Sequence, residues 1–143
     1  MEIIIAIVIG VIIWFILKNR KPANKTKTKL ISNRDLYTYN IVGEQSYQNN
    51  LKKIAGPKED ESKFFECQAK VSSEPFNQYD KNAVKVEING LIVGYLSKSE
   101  AAKLSGKVIS KTVPAVIDGG WLDDDGEGSY GVKLAITNTN NLL

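Results

Sequence analysis

Residues 74–84 read Glu-Pro-Phe-Asn-Gln-Tyr-Asp-Lys-Asn-Ala-Val and lie between two strand-like runs. Asn and Asp side chains bond to the nearby backbone, so Asn77, Asp80 and Asn82 mark an ordered turn. Pro75 stops the preceding strand from continuing. Upstream, Phe65, Cys67, Ala69 and Val71 alternate with Glu66, Gln68 and Lys70, the pattern of a half-buried strand. Downstream, Val84, Val86 and Ile88 alternate with Lys85 and Glu87, and Asn89-Gly90 then signals a type I′ hairpin into a partner strand over 91–96. Phe76 and Tyr79 are costly to leave in a surface loop, so they either plug one end of a core or meet a ligand.

The remaining elements extend this antiparallel plan. Residues 36–42 alternate as a strand. Ser46 can cap a helix whose face is Tyr47, Leu51, Ile54 and Ala55, ended by Gly56-Pro57. Ser97-Lys98-Ser99-Glu100 is a capping box for a short helix through Leu104. Residues 111–117 form a strand whose Pro114 belongs at an edge or bulge. Tyr130, Val132, Leu134 and Ile136 make the last strand, and 138–143 read as a frayed tail. The expected class is α+β, mostly β: a six-stranded OB- or SH3-like small barrel with two short helices.

Residues 3–17 are apolar throughout, with no polar face. At 1.5 Å per residue such a helix spans about 22 Å, which snorkelling of Lys18 and inclusion of Met1 can extend. The reading is one uncleaved transmembrane helix over 1–17, followed by a basic flexible linker over 18–34, a domain over 35–137 and the tail. The Lys and Arg residues after the helix put the C-terminal domain on the cytoplasmic side of a single-pass membrane protein.

Composition excludes several chemistries. With no His and one Cys, neither an ordinary zinc site nor histidine-based catalysis is available. No nucleophile–base pair or phosphate-binding glycine loop appears, so the chain is read as non-enzymatic, without cofactor or metal. The acidic glycine-rich stretch 119–128 lacks the alternating Asp spacing of a calcium loop and reads as a hairpin tip, with Trp121 a partner contact or a core cap. Residues 18–34 carry seven Lys/Arg and no acid, whereas 35–143 carry twelve Lys/Arg against fifteen Asp/Glu. The basic character therefore belongs to the linker, and the domain is mildly acidic.

The string Tyr79-Asp80-Lys81-Asn82-Ala83-Val84, followed by Val86-Glu87-Ile88, Asn89-Gly90 and Val93-Gly94-Tyr95-Leu96, resembles the HIRAN domain family. Ile41-Val42-Gly43-Glu44-Gln45-Ser46-Tyr47 resembles the family's first strand and turn, and 114–117 and 130–134 its last two strands, so the resemblance covers 36–137. It implies a related small barrel and binding of a single-stranded DNA 3′ end, with Tyr47, Tyr79, Asp80 and Asn82 as the carried-over positions; the charge rule above would put that binding at the cytoplasmic face. Tyr79 can stack on a base. Tyr47 is a second platform or plain core packing. Asp80 can accept a hydrogen bond from a free 3′ hydroxyl and repel a 3′ phosphate. Asn82 bonds a base edge or sugar, or holds the turn. The helix end near Ser46 offers amides to a phosphate. Lys52, Lys53, Lys81 and Lys98 are candidate phosphate contacts. HIRAN modules serve helicase-like motors, so any helicase would be a separate chain. The alternative is a membrane-tethered protein-interaction module that uses the same loop or the Trp121 hairpin to hold a protein partner.

Overall fold

The computed structural model describes residues 2–19 and 33–143. Two compact units divide the chain at residues 31 and 32. The basic linker read over 18–34 falls mostly outside the described residues.

The first unit contains helix α1, Glu2–Lys18, in which residues 6–18 are all solvent-exposed. The Lys18 ammonium lies 4.5 Å from the centre of the Trp14 ring. The expectation of a transmembrane helix is overturned: among the described residues no helix is long and apolar enough to cross a membrane. Its 17 residues cover about 25 Å at 1.5 Å each, short of a hydrocarbon core of about 30 Å.

The second unit is mostly β, a curled six-stranded antiparallel half-barrel with short helices. Its strands are β1 (Tyr39–Asn40), β2 (Lys63–Ser73), β3 (Val84–Ile88), β4 (Leu91–Tyr95), β5 (Ser110–Gly119) and β8 (Tyr130–Leu134), in the order β1-β8-β5-β2-β3-β4. A ribbon of β6 (Leu122–Asp123) and β7 (Gly126–Glu127) stands apart from this sheet. Helix α2 is Gln48–Ala55 and helix α3 is Lys98–Ala102.

The two edges of the sheet meet at one point. Just beyond β1, Val42 exchanges two backbone hydrogen bonds with Tyr95 of β4, of 2.8 and 2.9 Å. Only a glycine lets the chains come this close: a Cβ on Gly94 would stand 2.7 Å from the Val42 carbonyl oxygen and 2.8 Å from Ile41 Cδ1. The barrel is therefore stitched rather than fully laddered.

The core follows the sequence alternation along most strands. Val84, Val86 and Ile88 are buried, as are Tyr130, Val132, Leu134 and Ile136. The β3–β4 turn has Asn89 and Gly90 at φ 52° and 77°, the left-handed pair that a type I′ hairpin requires. Leu51 of α2 is fully buried, and Ala101 and Leu104 at α3 are buried as well.

Several elements differ from the sequence reading. The first strand is only two residues, because residues 33–36 wind into a 3₁₀ turn. Ser46 does not cap a helix; it lies inside a second 3₁₀ turn, Glu44–Tyr47, and α2 starts beyond it with no side-chain cap. Phe65 is 39% exposed, since burial along β2 becomes complete only at Ala69 and Val71. Pro114 sits in β5, which pairs with β2 along its whole length but with β8 only from Ala115. Its carbonyl accepts from the Ala135 amide, so its missing N–H faces the side where the β8 ladder ends. The C-terminal residues are not frayed. Residues Thr139–Leu142 form a 3₁₀ turn with an Asn138 capping box, which places Leu142 in the core.

Charge is segregated along β2. At its start, the 57–62 loop and the β6–β7 ribbon are joined by the 2.8 Å Leu122 amide to Glu59 carbonyl bond and the Lys58–Glu127 ion pair. Residues 57–63 and 118–128 together hold eight Asp/Glu and two Lys. At the other end of β2 lie the 74–83 and 103–109 loops, tied together by the 2.9 Å Ser73 amide to Ile109 carbonyl bond. Residues 74–83 and 96–111 hold five Lys and three acids. The β2 strand separates these poles by roughly 30 Å, about four Debye lengths at physiological salt.

Candidate functional site

The 74–83 loop is built as an ordered turn. The Glu74 amide bonds the Ala83 carbonyl at 2.9 Å and closes the base of the loop. Inside it, Asn77 Oδ1 accepts from the amides of Tyr79 and Asp80 at 2.9 and 3.0 Å, and Asp80 Oδ1 accepts from the Asn82 amide at 2.9 Å. These are consecutive Asx turns, and they fix the backbone without using the Tyr79 ring or Asp80 Oδ2.

Glu74 fastens the loop to the barrel. Its carboxylate accepts from Asn77 Nδ2 at 2.6 Å and from the Tyr95 hydroxyl at 3.3 Å. Burial holds the Tyr95 hydroxyl above the ordinary tyrosine range, and the neighbouring Tyr47 and Glu74 push it further the same way. Tyr95 therefore stays protonated and keeps donating across the physiological range.

Tyr47 arrives from the opposite side. Gln48 sets its position by exchanging bonds with Tyr130 of β8, accepting from the amide at 2.8 Å and donating to the carbonyl at 2.9 Å. Asn50 donates to the Ile92 carbonyl of β4 at 2.8 Å. The Tyr47 and Tyr95 rings then lie 6.4 Å apart at a 43° tilt.

Between these groups opens a hollow of about 450 Å³. Tyr47, Tyr95, Tyr79, Asp80 and Lys98 border it, and Leu96 and Ala101 supply apolar wall. The Tyr79 side chain is 94% exposed, so it does not serve as a core plug. Among the described residues Asp80 and Lys98 have no ion-pair partner, although they line the same space. The hollow thus offers three aromatic faces, one free carboxylate oxygen and one free ammonium.

The positions nominated from sequence separate into three places. Tyr47, Tyr79 and Asp80 come together at this hollow, and Lys98 joins them. Lys81 and Asn82 turn to the far side of the loop and line a second hollow of about 530 Å³, where Asn82 Oδ1 accepts from Ser105 Oγ at 3.0 Å. Lys52 and Lys53 lie on α2 beside Asn49 and Pro57, at a separate surface. Sequence reasoning missed Tyr95 and Glu74. Both look like ordinary strand-end residues, although the Val-Gly-Tyr-Leu string contains Tyr95.

No protein-family model, curated protein or solved structure matches this chain.

Proposed function

We propose that the second unit is a HIRAN-like binding module that takes the 3′ end of a single nucleic-acid strand in the Tyr47–Tyr79–Asp80 hollow. The observation that carries the reading is the free Asp80 Oδ2 beside a 94% exposed tyrosine, at the mouth of an aromatic-walled hollow. Tyr79 stacks on the terminal base, worth about 1–3 kcal/mol. Asp80 accepts the hydrogen bond of the terminal 3′ hydroxyl. A 3′ phosphate would instead bring an anion against the carboxylate. Lys98, across the hollow, neutralises the phosphate that precedes the terminal sugar.

The charge segregation supports this reading in a domain whose net charge is negative. The acids concentrate at the far pole, beyond the reach of a screened field, while the loop pole has an excess of lysines. Capturing an end needs few phosphate contacts, so it does not need a wide basic groove. The resemblance over 36–137 points the same way. The role is binding without bond-making, and any motor acting on the strand is a separate chain.

The test is fluorescence anisotropy of the full chain with 5′-labelled oligonucleotides ending in a 3′ hydroxyl or a 3′ phosphate. A hydrogen bond to a charged acceptor is worth about 1.5–3 kcal/mol, so the hydroxyl end should bind ~10- to 100-fold more tightly. Asp80→Asn should erase most of that preference, and Tyr79→Ala should weaken both ends. Equal affinity for the two ends in the wild type, or no binding, rejects the reading and leaves a protein partner as the ligand of the same loop.

A further inference from the structure

We propose that the second hollow is the path of the strand leading up to the terminus, so that the nucleic acid crosses the 74–83 loop at Lys81 and Asn82. This deepens the end-binding reading and rests on it. The two hollows are neighbours across the loop, and Ala83 borders both. The second has an apolar floor of Val84, Leu104 and Ile109 and a wall made by Pro75 and the 93% exposed Val108. A base can lie on such a floor.

The rim suits a phosphodiester. Lys81 and Lys107 line the hollow, both are exposed, and among the described residues neither is paired with a carboxylate. Among the described residues no Asp or Glu lines the hollow. The shape is also fixed in advance. The Asn82–Ser105 bond ties its two walls together, and Ser73 Oγ accepts from the Ile109 amide at 2.6 Å. The alternative course, along the sheet toward the other pole, would carry phosphates over eight carboxylates. Charge therefore selects the path over the loop.

The experiment compares a thymidine dinucleotide with a hexanucleotide, both with free 3′ hydroxyls, on the full-length wild type, on Lys81→Ala/Lys107→Ala and on Val108→Glu. The wild type should bind the hexanucleotide about tenfold more tightly, since the longer strand adds phosphate contacts. The double variant should lose most of that gain. Its salt slope should fall by about 1.4, at ~0.7 per single-strand phosphate contact. Val108→Glu, which sets a carboxylate in the wall, should lose the gain as well. Both variants should keep the preference for a 3′ hydroxyl over a 3′ phosphate. Variants that retain the length gain and the salt slope, with end preference intact, overturn the strand path and leave the terminal site standing. A wild type without end preference overturns both.

Discussion

Gly94→Ala tests the stitch that closes the barrel. The added methyl would stand 2.7 Å from the Val42 carbonyl oxygen and 2.8 Å from Ile41 Cδ1, both well inside contact distance. If the crossing stays shut, the overpacking costs about 1–3 kcal/mol. If it springs open, the two Val42–Tyr95 hydrogen bonds are lost, at about 0.5–1.5 kcal/mol each, so the loss is similar by either route. Replacing glycine also restricts the unfolded chain, which returns about 0.4–1 kcal/mol. The net loss should be ~1–2 kcal/mol, a sizeable share of the roughly 5–15 kcal/mol that holds a small domain together. Urea denaturation of the full chain, followed by tryptophan fluorescence, measures it. Amide exchange at Val42 and Tyr95 should accelerate more than exchange along β2 and β5. Ile41→Val removes Cδ1 but leaves the Val42 oxygen in place, so adding it to Gly94→Ala should relieve only part of the strain. A Gly94→Ala protein within about 0.5 kcal/mol of wild type would show that the crossing is loose and refute the stitched barrel.

Three further expectations concern single side chains. Glu74→Ala removes the acceptor shared by Asn77 and Tyr95, so it should cost about 1–2 kcal/mol and speed hydrogen exchange at the Tyr79 and Asp80 amides while the β2–β5 ladder stays protected. Burial pushes the Cys67 thiol up to about 11; at pH 8 the native protein should therefore alkylate roughly a hundredfold or more slowly than an unfolded control, and equal rates would contradict the packing. Burial also holds the Glu44 carboxyl above its ordinary range, helped by Asp118 and opposed by hydrogen bonds from its own amide and that of Val132. The folded state then binds the proton more tightly than the unfolded chain, so stability falls as pH rises through that window. Glu44→Gln should raise the Tm at pH 7, with the gain vanishing below the ordinary carboxyl pKa, and a gain that persists in acid would contradict this account.

What could be read from the sequence was local. The Asn89-Gly90 turn states its own backbone conformation, and the alternation of β3 and β8 states which side is buried. Ser97 is the helix cap expected, its Oγ accepting from the Glu100 amide at 3.3 Å, although the Glu100 carboxylate turns away to Lys103 and Tyr39. What could not be read depends on partners distant in the chain. Pro114 looks like an edge signal, and β5 is an edge only along its first half, which depends on where β8 ends. The membrane reading took hydrophobicity for length, and the helix is short. Within the site, Tyr79-Asp80 and Lys81-Asn82 are neighbours in sequence, but a tight turn sends successive side chains apart. The loop became a ridge between two hollows rather than one wall of a single pocket. Tyr95 stayed hidden because its meeting with Tyr47 and Glu74 depends on the closure at Val42.

The uneven placement of charge along β2 also gives the second unit a large electric dipole. In the field of a polyanion such a body feels a torque before it feels any contact, and it turns its lysine-rich loops forward. Encounters would thus be oriented from several ångströms out, and a strand approaching broadside to the β6–β7 ribbon would be deflected. Added salt should then slow the arrival of a ligand more than it hastens its departure.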